Sequence, residues 1–322
     1  MKTLQKYAGY LLEQYSNYPQ GRYVSVFIVR KVESEAIFRT EGSGEPLNRE
    51  FVHAGLDKGP VIPRIVISKR KQTAVERRTG RELLRRLGLL FPVDDTGTLC
   101  ALNEGNPCGK CIDCYLYGYA VGGGGAQKSR IITDDAFSLL RAEVITGKKQ
   151  FNAPYEDGTM RHPITKQPST SIGWDEYIKP ETHFLDIETL KDVTLPELVY
   201  VLGNILRSSR YGAISSRIGK VRNTILGLAF SGCELFSNLE WVQCTYDILR
   251  QDREEPEFPL ADAEVHAAAS QAISELLPRV TGQVVLVPEE EIAAIVQEVR
   301  ALFANEKQVK ELLDKLTQSY SA

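Results

Sequence analysis

Residues 194–230 read TLPELVYVLGNILRSSRYGAISSRIGKVRNTILGLAF, and this stretch decides the fold. Its first part carries apolar residues at helical spacing, and Thr194 and Glu197 have the reciprocal spacing of a capping box. The pattern predicts a helix over residues 194–207 that lies flat on a sheet. The apolar run from Thr224 to Phe230 predicts a strand over residues 223–231 that is buried on both faces.

The basic loop between these two elements, residues 207–222, is rich in small residues. It carries five positive charges and no acidic residue, at Arg207, Arg210, Arg217, Lys220 and Arg222. Gly212, Gly219 and the serines allow close approach, and the amides, hydroxyls and guanidinium groups donate hydrogen bonds. The loop therefore suits a phosphate backbone. The alternative is a solvated surface loop between two core elements.

The charge of the chain is unevenly distributed. The 322 residues are 43% hydrophobic, enough to bury a core, and the net charge is only −3. The segment from Lys58 to Arg86 nevertheless holds ten basic residues against two acidic ones. Two basic segments on an acidic remainder indicate a localised site for a polyanion.

The hydropathy pattern bears on localisation. No run of about 20 apolar residues occurs, and residues 1–20 lack the apolar core of a signal peptide. We therefore expect a soluble, cytoplasmic protein. Because the cytoplasm is reducing, the cysteines are expected to be metal ligands or packed thiols rather than disulfides.

Four cysteines form the sharpest motif in the chain. Cys100, Cys108, Cys111 and Cys114 have the spacing C-x7-C-x2-C-x2-C. Two-residue spacers at a turn are typical of tetrahedral zinc, and four sulfur ligands leave no open position, so the pattern predicts a structural zinc site. An iron–sulfur cluster is one alternative, although the C-x3-C-P run of bacterial ferredoxins is missing. Uncoordinated cysteines are the other.

Two further segments are candidates for function. Residues 73–90 predict a basic amphipathic helix, for which a solvated helix is the alternative. Residues 147–182 form a long, proline-containing segment of low hydrophobicity, and a segment of this length is either functional or disordered. Its Tyr155, Met160 and Trp174 favour function, because such side chains wedge or stack against displaced bases. Alternatively they form a small core of the arm itself.

The order of elements predicts an α+β fold. Predicted strands over 22–32, 129–133, 182–190 and 223–231 and helices over 73–90 and 194–207 follow the β-α-β-β-α-β order of a modified ferredoxin-like, RNA-recognition fold. Residues 1–232 are then an RNA-recognition-like core. It carries a zinc-knuckle insertion at 98–125 and a thumb-like arm at 147–182, and residues 233–322 form a C-terminal helical extension.

Several of these segments resemble a known family. SRIITDDA (129–136), RYGAISSRIGKVRN (210–223) and TILGLAFSG (224–232) resemble the backbone subunit of CRISPR interference (Cascade) complexes, and the cysteine knuckle is similar to that of the type I-D subgroup. The resemblance covers roughly residues 22–232. It implies an antiviral-defence protein that polymerises along a guide RNA (crRNA), contacts other subunits, and meets target nucleic acid through the guide. It implies RNA contacts at Lys69, Arg70, Lys71, Arg77, Arg210, Gly212, Arg217, Gly219, Lys220 and Arg222.

The sequence offers little for catalysis, and we expect no enzymatic activity. The four histidines are scattered and match no metal or general-base motif: His53, His162, His183 and His266. In the related type III backbone subunits an aspartate in a glycine-flanked loop cleaves target RNA, and Asp57 in GLDKGPVIP has a similar setting. A target-RNA-cleaving subunit is therefore one alternative, unless Asp57 only caps a turn. A zinc-containing regulator that binds duplex DNA through residues 73–90 is the other.

Overall fold

The computed structural model describes residues 1–39, 46–56, 59–104, 107–121, 125–251 and 254–320, which form a mixed α+β fold. The strands are β1 Tyr23–Val32, β2 Arg49–His53, β3 Val61–Ile67, β4 Tyr119–Val121, β5 Gly125–Gln127, β6 Ile131–Thr133, β7 Ala136–Arg141, β8 Thr146–Asn152, β9 Ile172–Ile178, β10 His183–Lys191, β11 Val221–Ser231 and β12 Val284–Leu286. The helices are α1 Lys2–Gln5, α2 Lys69–Arg86, α3 Ile112–Tyr117, α4 Ala142–Ile145, α5 Leu195–Arg207, α6 Asn238–Arg250, α7 Asp262–Leu276, α8 Glu289–Phe303 and α9 Glu306–Ser319.

The centre of the fold is an antiparallel sheet. Its strand order is β12-β11-β1-β10-β7-β3-β2, and β6 also pairs with β10. Alternate side chains of β1 enter two separate cores. Val24, Val26 and Ile28 pack with α2, α5, α8 and α9, whereas Phe27 and Val29 pack with α6 and α7 on the opposite face. Helices therefore cover both faces of the sheet.

The structure confirms the two elements predicted from residues 194–230. The Thr194 backbone N–H donates to Glu197 Oε2 at 2.8 Å, which completes the capping box at the start of α5. Leu198, Leu202 and Ile205 are fully buried against the sheet. Strand β11 pairs with β1 over almost its whole length, beginning two residues before the predicted strand.

The basic helix begins earlier than predicted. It starts at Lys69 rather than Thr73 and ends at Arg86 rather than Leu90, and Ser68 is its N-cap. The first turn, KRKQ, contains no apolar residue, so hydrophobic spacing gave no signal there. Three cations that we expected beside the helix, Lys69, Arg70 and Lys71, therefore lie in its first turn.

The glycines and prolines between Ile37 and Pro63 predict one long loop, and this prediction is wrong. Within the described part of this segment, β2 pairs with β3 from Arg49↔Ile65 to His53↔Val61. Strand β2 is the last strand at one edge of the sheet, and its Phe51 is 72% exposed. An edge strand without a buried face lacks the hydrophobic alternation on which sequence interpretation depends.

Two other segments are more ordered than predicted. The predicted strand at 129–133 becomes β6 and is followed after Asp134–Asp135 by a second strand, β7, which pairs with β3 and β10. The predicted arm contains a hairpin, in which β8 pairs with β9 from Thr146↔Ile178 to Asn152↔Ile172. Residues 153–171 connect the two strands.

The C-terminal helices cover both faces of the sheet. Helices α6 and α7 pack in one core, and α8 and α9 pack in the other. Between them, the apolar run QVVLVP supplies β12, which pairs with β11 through Ala229↔Leu286. Within the described ranges, no helix is both long and apolar enough to cross a membrane.

Candidate metal centre and nucleic-acid interface

The four motif cysteines meet at one point. Their sulfur atoms all lie within 4.8 Å of one another, and the Cys100–Cys114, Cys100–Cys111 and Cys108–Cys114 sulfur distances are 3.7, 4.0 and 4.0 Å. A tetrahedral zinc ion with Zn–S bonds of about 2.3 Å requires sulfur atoms about 3.8 Å apart. The geometry therefore fits a tetrahedral metal ion held by four thiolates.

The local backbone explains why the sulfur atoms converge. Gly109 has φ +65°, a left-handed conformation that glycine adopts without strain and that makes the turn between Cys108 and Cys111. The backbone N–H groups of Lys110 and Cys111 point at Cys108 Sγ at 3.4 and 3.3 Å. Backbone N–H groups that point at a sulfur atom stabilise its thiolate, which is the form that binds metal.

Asp113 joins this cysteine knuckle (residues 98–125) to α2. It is fully buried, and Arg77 donates to it from Nε and Nη2 at 2.9 and 2.8 Å. Arg81 Nη1 donates to the same carboxylate at 2.5 Å, and Arg81 Nη2 donates to the Cys100 carbonyl at 2.5 Å. Two arginines that look like surface charges in the sequence therefore hold the cysteine knuckle against the sheet domain.

A basic groove of about 1030 Å³ lies beside α2. Within the described part of the chain, seven cations line it and no acidic residue does: Arg39, Lys69, Arg70, Lys71, Arg77, Arg78 and Lys128. Gly212 and Ala213 of the basic loop also line it, as do Leu102 and Asn103 of the cysteine knuckle and the nearby Ser129. The groove thus collects charge from segments that are far apart in the sequence.

The groove unites some of the predicted RNA contacts. Lys69, Arg70, Lys71, Arg77 and Gly212 all line it. Sequence reasoning did not select its other cations, Arg39, Arg78 and Lys128, as contacts. Arg78 was noticeable as part of the basic helix, but neither Arg39 nor Lys128 belongs to a basic run, so only the fold reveals their position.

The glycines of the basic loop serve its backbone. Gly212 has φ +89°, and a Cβ there would lie 2.5 Å from the Ile37 carbonyl oxygen. Gly219 has φ +83°, and a Cβ there would lie 2.2 Å from the Tyr211 carbonyl oxygen. Both glycines are therefore required by the fold of the loop backbone, whether or not a ligand approaches them.

The cations of the basic loop lie outside the groove lining, and most contact other groups of the chain. Arg222 pairs with Asp262 and lies 3.6 Å from Glu33 Oε1, and Lys220 lies 3.4 Å from Glu33 Oε2. Arg210 donates to the Ile218 carbonyl at 3.4 Å. Arg217 is exposed, and no described residue forms an ion pair with it. It lies on the exposed tip formed by residues 214–217.

The three candidate stacking residues of the arm differ in exposure. Tyr155 is half-buried and makes an edge contact with His162, with ring centroids 5.1 Å apart. Met160 is also half-buried. Trp174 on β9 is 68% exposed. Tyr155 therefore packs within the arm, while Trp174 presents its ring to solvent.

The remaining candidates for catalysis are not brought together. Asp57, the predicted alternative nuclease residue, lies outside the described residues. His183 pairs with Asp262 at 3.0 Å, and burial lowers the pKa of His183. His53, His162 and His266 lie on other elements. The apolar surroundings of Cys233 and Cys244 in the sequence predict two core thiols; Cys244 is buried, whereas Cys233 is half-buried.

Comparisons with known proteins identify the family. A family model described as Csc2 CRISPR matches residues 10–313. The crystal structure of Thermofilum pendens Csc2 is similar, with 19% sequence identity, a TM-score of 0.62, and 99% of this chain and 96% of that chain covered. No curated protein matches the sequence.

Two solved structures described as CRISPR RNA-guided surveillance complexes, one of them pre-nicking, are also similar. The pre-nicking complex has a TM-score of 0.53 and the other 0.51, each with 9% identity and with 87% of this chain and 99% of that chain covered. At such identities these likenesses concern the fold. The family match spans nearly the whole chain and confirms the expected CRISPR relationship, so the chain belongs to the Csc2 family of CRISPR proteins.

Proposed function

We propose that this chain is a crRNA-binding backbone subunit of a CRISPR surveillance complex. One observation carries the proposal. In a chain of the Csc2 family, the described residues form a groove lined by seven cations and no acidic residue. A guide RNA presents one negative charge per nucleotide, so such a groove holds it through phosphate contacts.

The groove recognises the shape and charge of an RNA strand rather than its base sequence. Its cations are lysines and arginines, and contacts of these side chains with phosphates carry no sequence information. A scaffold for arbitrary guides requires this property, because the guide itself reads the target by base pairing. The contacts that we propose in the groove are Lys69, Arg70, Lys71, Arg77 and Gly212, and those at the basic loop are Arg210, Arg217, Gly219, Lys220 and Arg222.

The core belongs, in this proposal, to the modified ferredoxin-like, RNA-recognition class. The neighbouring strands β11-β1-β10-β6 and the helices α2 and α5 support it, because they follow the strand order and element order of that fold. Residues 1–232 form the core, 98–125 its insertion, 147–182 its thumb-like arm and 233–322 the extension. Trp174 is the residue of the arm best exposed to contact a displaced base.

The cysteine centre is proposed to hold zinc through Cys100, Cys108, Cys111 and Cys114. Sulfur spacing and the buried surroundings support this choice. Four thiolates close the coordination shell, so the ion supplies structural stability and no catalytic position. Arg81 Nη1 lies 3.7 Å from Cys100 Sγ and offsets part of the negative charge of the thiolates.

The assembly that we propose is cytoplasmic and of type I-D. Further copies of this chain lie side by side along the crRNA, other subunits bind at the ends, and target nucleic acid pairs with the guide. We propose no catalytic residue in this chain.

A binding competition tests the proposal. Purified protein is titrated with random-sequence single-stranded RNA and with duplex DNA of equal length, by fluorescence anisotropy at several salt concentrations. We expect RNA to bind more tightly, without sequence preference, and the log–log salt slope to be about −3.5 to −5 for five to seven phosphates. Tighter, sequence-dependent binding of duplex DNA would replace the proposal with the regulator alternative. Metal-dependent cleavage of a bound target that is lost in Asp57→Ala would replace it with the nuclease alternative.

A further inference from the structure

A buried polar cluster connects α2 with the basic loop. Arg30 on β1 donates from Nε and Nη2 to Asp186 Oδ2 at 2.9 and 2.6 Å, and Nη2 also lies 2.8 Å from Glu76 Oε1 on α2. Arg30 Nη1 donates to the Tyr211 hydroxyl at 3.0 Å and to Asn223 Oδ1 at 2.9 Å. Every polar hydrogen of the guanidinium group therefore faces an acceptor within the fold.

Tyr211 is the residue that fixes the loop to this cluster. Its hydroxyl accepts from Arg30 and, at 2.8 Å, from Asn223 Nδ2, and it donates to Glu76 Oε1 at 3.1 Å. Tyr211 directly precedes Gly212 and Ala213, which line the groove. The Glu76 carboxylate is therefore the group of α2 that is hydrogen-bonded to the basic loop through Tyr211.

Glu188 on β10 is the unexplained member of the cluster. It is fully buried, and within the described residues neither of its carboxyl oxygens nor Glu76 Oε2 receives a hydrogen bond from an N–H or hydroxyl donor. Glu188 lies two residues after Asp186 on the same face of β10, so its carboxyl group belongs to the buried cluster around Arg30 that also contains the unpaired Glu76 Oε2, and Glu76 raises the pKa of Glu188. Two ionised carboxylates in contact repel, whereas one shared proton turns the repulsion into a hydrogen bond.

We propose that Glu188 is a positioning residue that keeps a proton and donates it to Glu76. The donation holds the Glu76 carboxylate toward Tyr211 and Arg30, and so fixes the basic loop beside α2 as one side of the groove. This inference deepens the proposed function and rests on it for its RNA-binding part. The proton itself is a property of the folded chain and is testable without RNA.

The surroundings of the pair determine how it titrates. The titratable and charged groups that face it are Glu76 on α2, Arg30 on β1, Asp186 on β10, Tyr117 on α3, Tyr200 on α5 beside Tyr117, and Tyr211 in the basic loop. Burial raises the pKa of Glu188 well above its usual range, and Glu76 raises it further, whereas Arg30 opposes the shift.

The raised pKa of Glu188 sets the direction of the pH dependence. The contribution of Glu188 to the free energy of unfolding is fully present below its unfolded pKa of 4.5 and is lost as pH rises through its folded pKa. The folding equilibrium constant changes by up to about tenfold per pH unit over that interval.

Glu188→Gln tests the proton directly. A glutamine amide donates to Glu76 at every pH, so we expect the stability of this variant relative to the wild type to rise as the pH increases above 4.5, and to level off above the folded pKa of Glu188. Chemical denaturation at each pH measures the difference. Glu143→Gln removes the same charge from an exposed position on α4 and should keep the wild-type profile. A Glu188→Gln profile parallel to that of the wild type overturns the proposal.

A measurement on the wild type guards against a variant that does not fold. Infrared titration should detect a protonated carboxyl group that persists at neutral pH and disappears in the alkaline range. If every carboxyl group is ionised at neutral pH, the proposal fails.

RNA binding then separates positioning from stability. Tyr211→Phe keeps the carboxyl pair but removes the hydroxyl, so its stability should retain the wild-type pH profile while its affinity for random-sequence RNA falls about tenfold at every pH. At neutral pH, Glu188→Gln should bind RNA with wild-type affinity. At alkaline pH, its RNA affinity should fall less than that of the wild type. Unchanged RNA affinity in Tyr211→Phe overturns the positioning role. If the wild type binds no single-stranded RNA, the proposed function fails, while the stability profiles still report on the proton.

Discussion

The two basic segments of this chain differ in what their charges contact. On α2, Arg77 and Arg81 bind Asp113, while the turn before them supplies Lys69, Arg70 and Lys71 to a groove whose described lining contains no acidic residue. In the basic loop, Arg222 and Lys220 face Asp262 and Glu33, and the exposed tip carries Arg217.

The difference shows that a count of charges is a poor measure of a binding surface. An arginine whose guanidinium group is already bound to a carboxylate must lose that partner before it binds phosphate. The described lining of the groove contains no acidic residue, so phosphates that enter it meet positive charge and no like charge. The groove beside α2 should therefore carry most of the affinity for RNA, and the basic loop should contribute chiefly through its tip. The following experiments test that ranking.

Loss of the metal centre should have the largest effect. Cys111→Ser removes one of four ligands, and structural zinc sites contribute about 10–16 kcal/mol in isolated modules, so we expect a stability loss of at least about 3 kcal/mol. Because Asp113 connects the cysteine knuckle to α2, RNA affinity should fall as well. Calorimetric unfolding and zinc content measure the change, and Cys233→Ser is the control outside the centre. A variant with full stability and no bound metal would refute a structural role.

Charge reversal in the groove should come next. Lys69→Glu combined with Arg78→Glu places two acids in the groove, and we expect about 2–4 kcal/mol of lost RNA affinity, since contacts to charged groups contribute about 1.5–3 kcal/mol each. Arg300→Glu combined with Lys307→Glu is the matched control, since it reverses two exposed charges on α8 and α9 outside the groove lining. Anisotropy titrations give the affinities. Equal losses in the double variant and the control would mean that only net charge matters.

Arg217 and Arg222 compare the two kinds of cation within the basic loop. Arg217→Glu should weaken RNA binding by about 1 kcal/mol without changing the unfolding temperature, because no described residue pairs with Arg217. Arg222→Glu should instead lower stability, since it faces Asp262 and Glu33, and should affect RNA less. The opposite order would show that RNA displaces the acidic partners of Arg222.

The smallest effect concerns Asp262. Bonds from Lys31, His183 and Arg222 lower the pKa of Asp262, against the opposing effect of burial. A lowered folded pKa contributes stability above the unfolded pKa of 3.8 that is lost as pH falls through the folded value. Asp262 is about one-third exposed, so solvent screening limits the contribution to about 1 kcal/mol. Asp262→Asn should flatten the acid side of the stability profile in urea titrations, and Asp95→Asn, at an exposed site, should not.

The sequence predicted the elements whose side chains repeat with a clear period. Helix α5 and strand β11 were predicted to within two residues, because each has a continuous apolar pattern and Thr194 marks the helix start. The four cysteines were predicted to converge from their spacing, and their sulfur atoms do. In each case the information lies in neighbouring residues.

The rest depends on contacts between distant segments. Among the described strands, β2 pairs on one edge only and has no buried face, so its sequence resembles a loop. Arg39 and Lys128 reach the groove only because the fold brings their segments beside α2. Arg77 and Asp113, which bind each other, are 36 residues apart, so no pattern of neighbouring residues predicts their contact. Charge and spacing identified the kind of ligand, but not which cations remain available to it.

The division of β1 between two cores limits how the molecule can deform. Moving this strand by one residue would carry each of its side chains from one core into the other, so the sheet resists sliding in either direction. A module whose central strand is locked in this way keeps a constant width. In a row of copies, that constant width would set a constant spacing between neighbouring subunits.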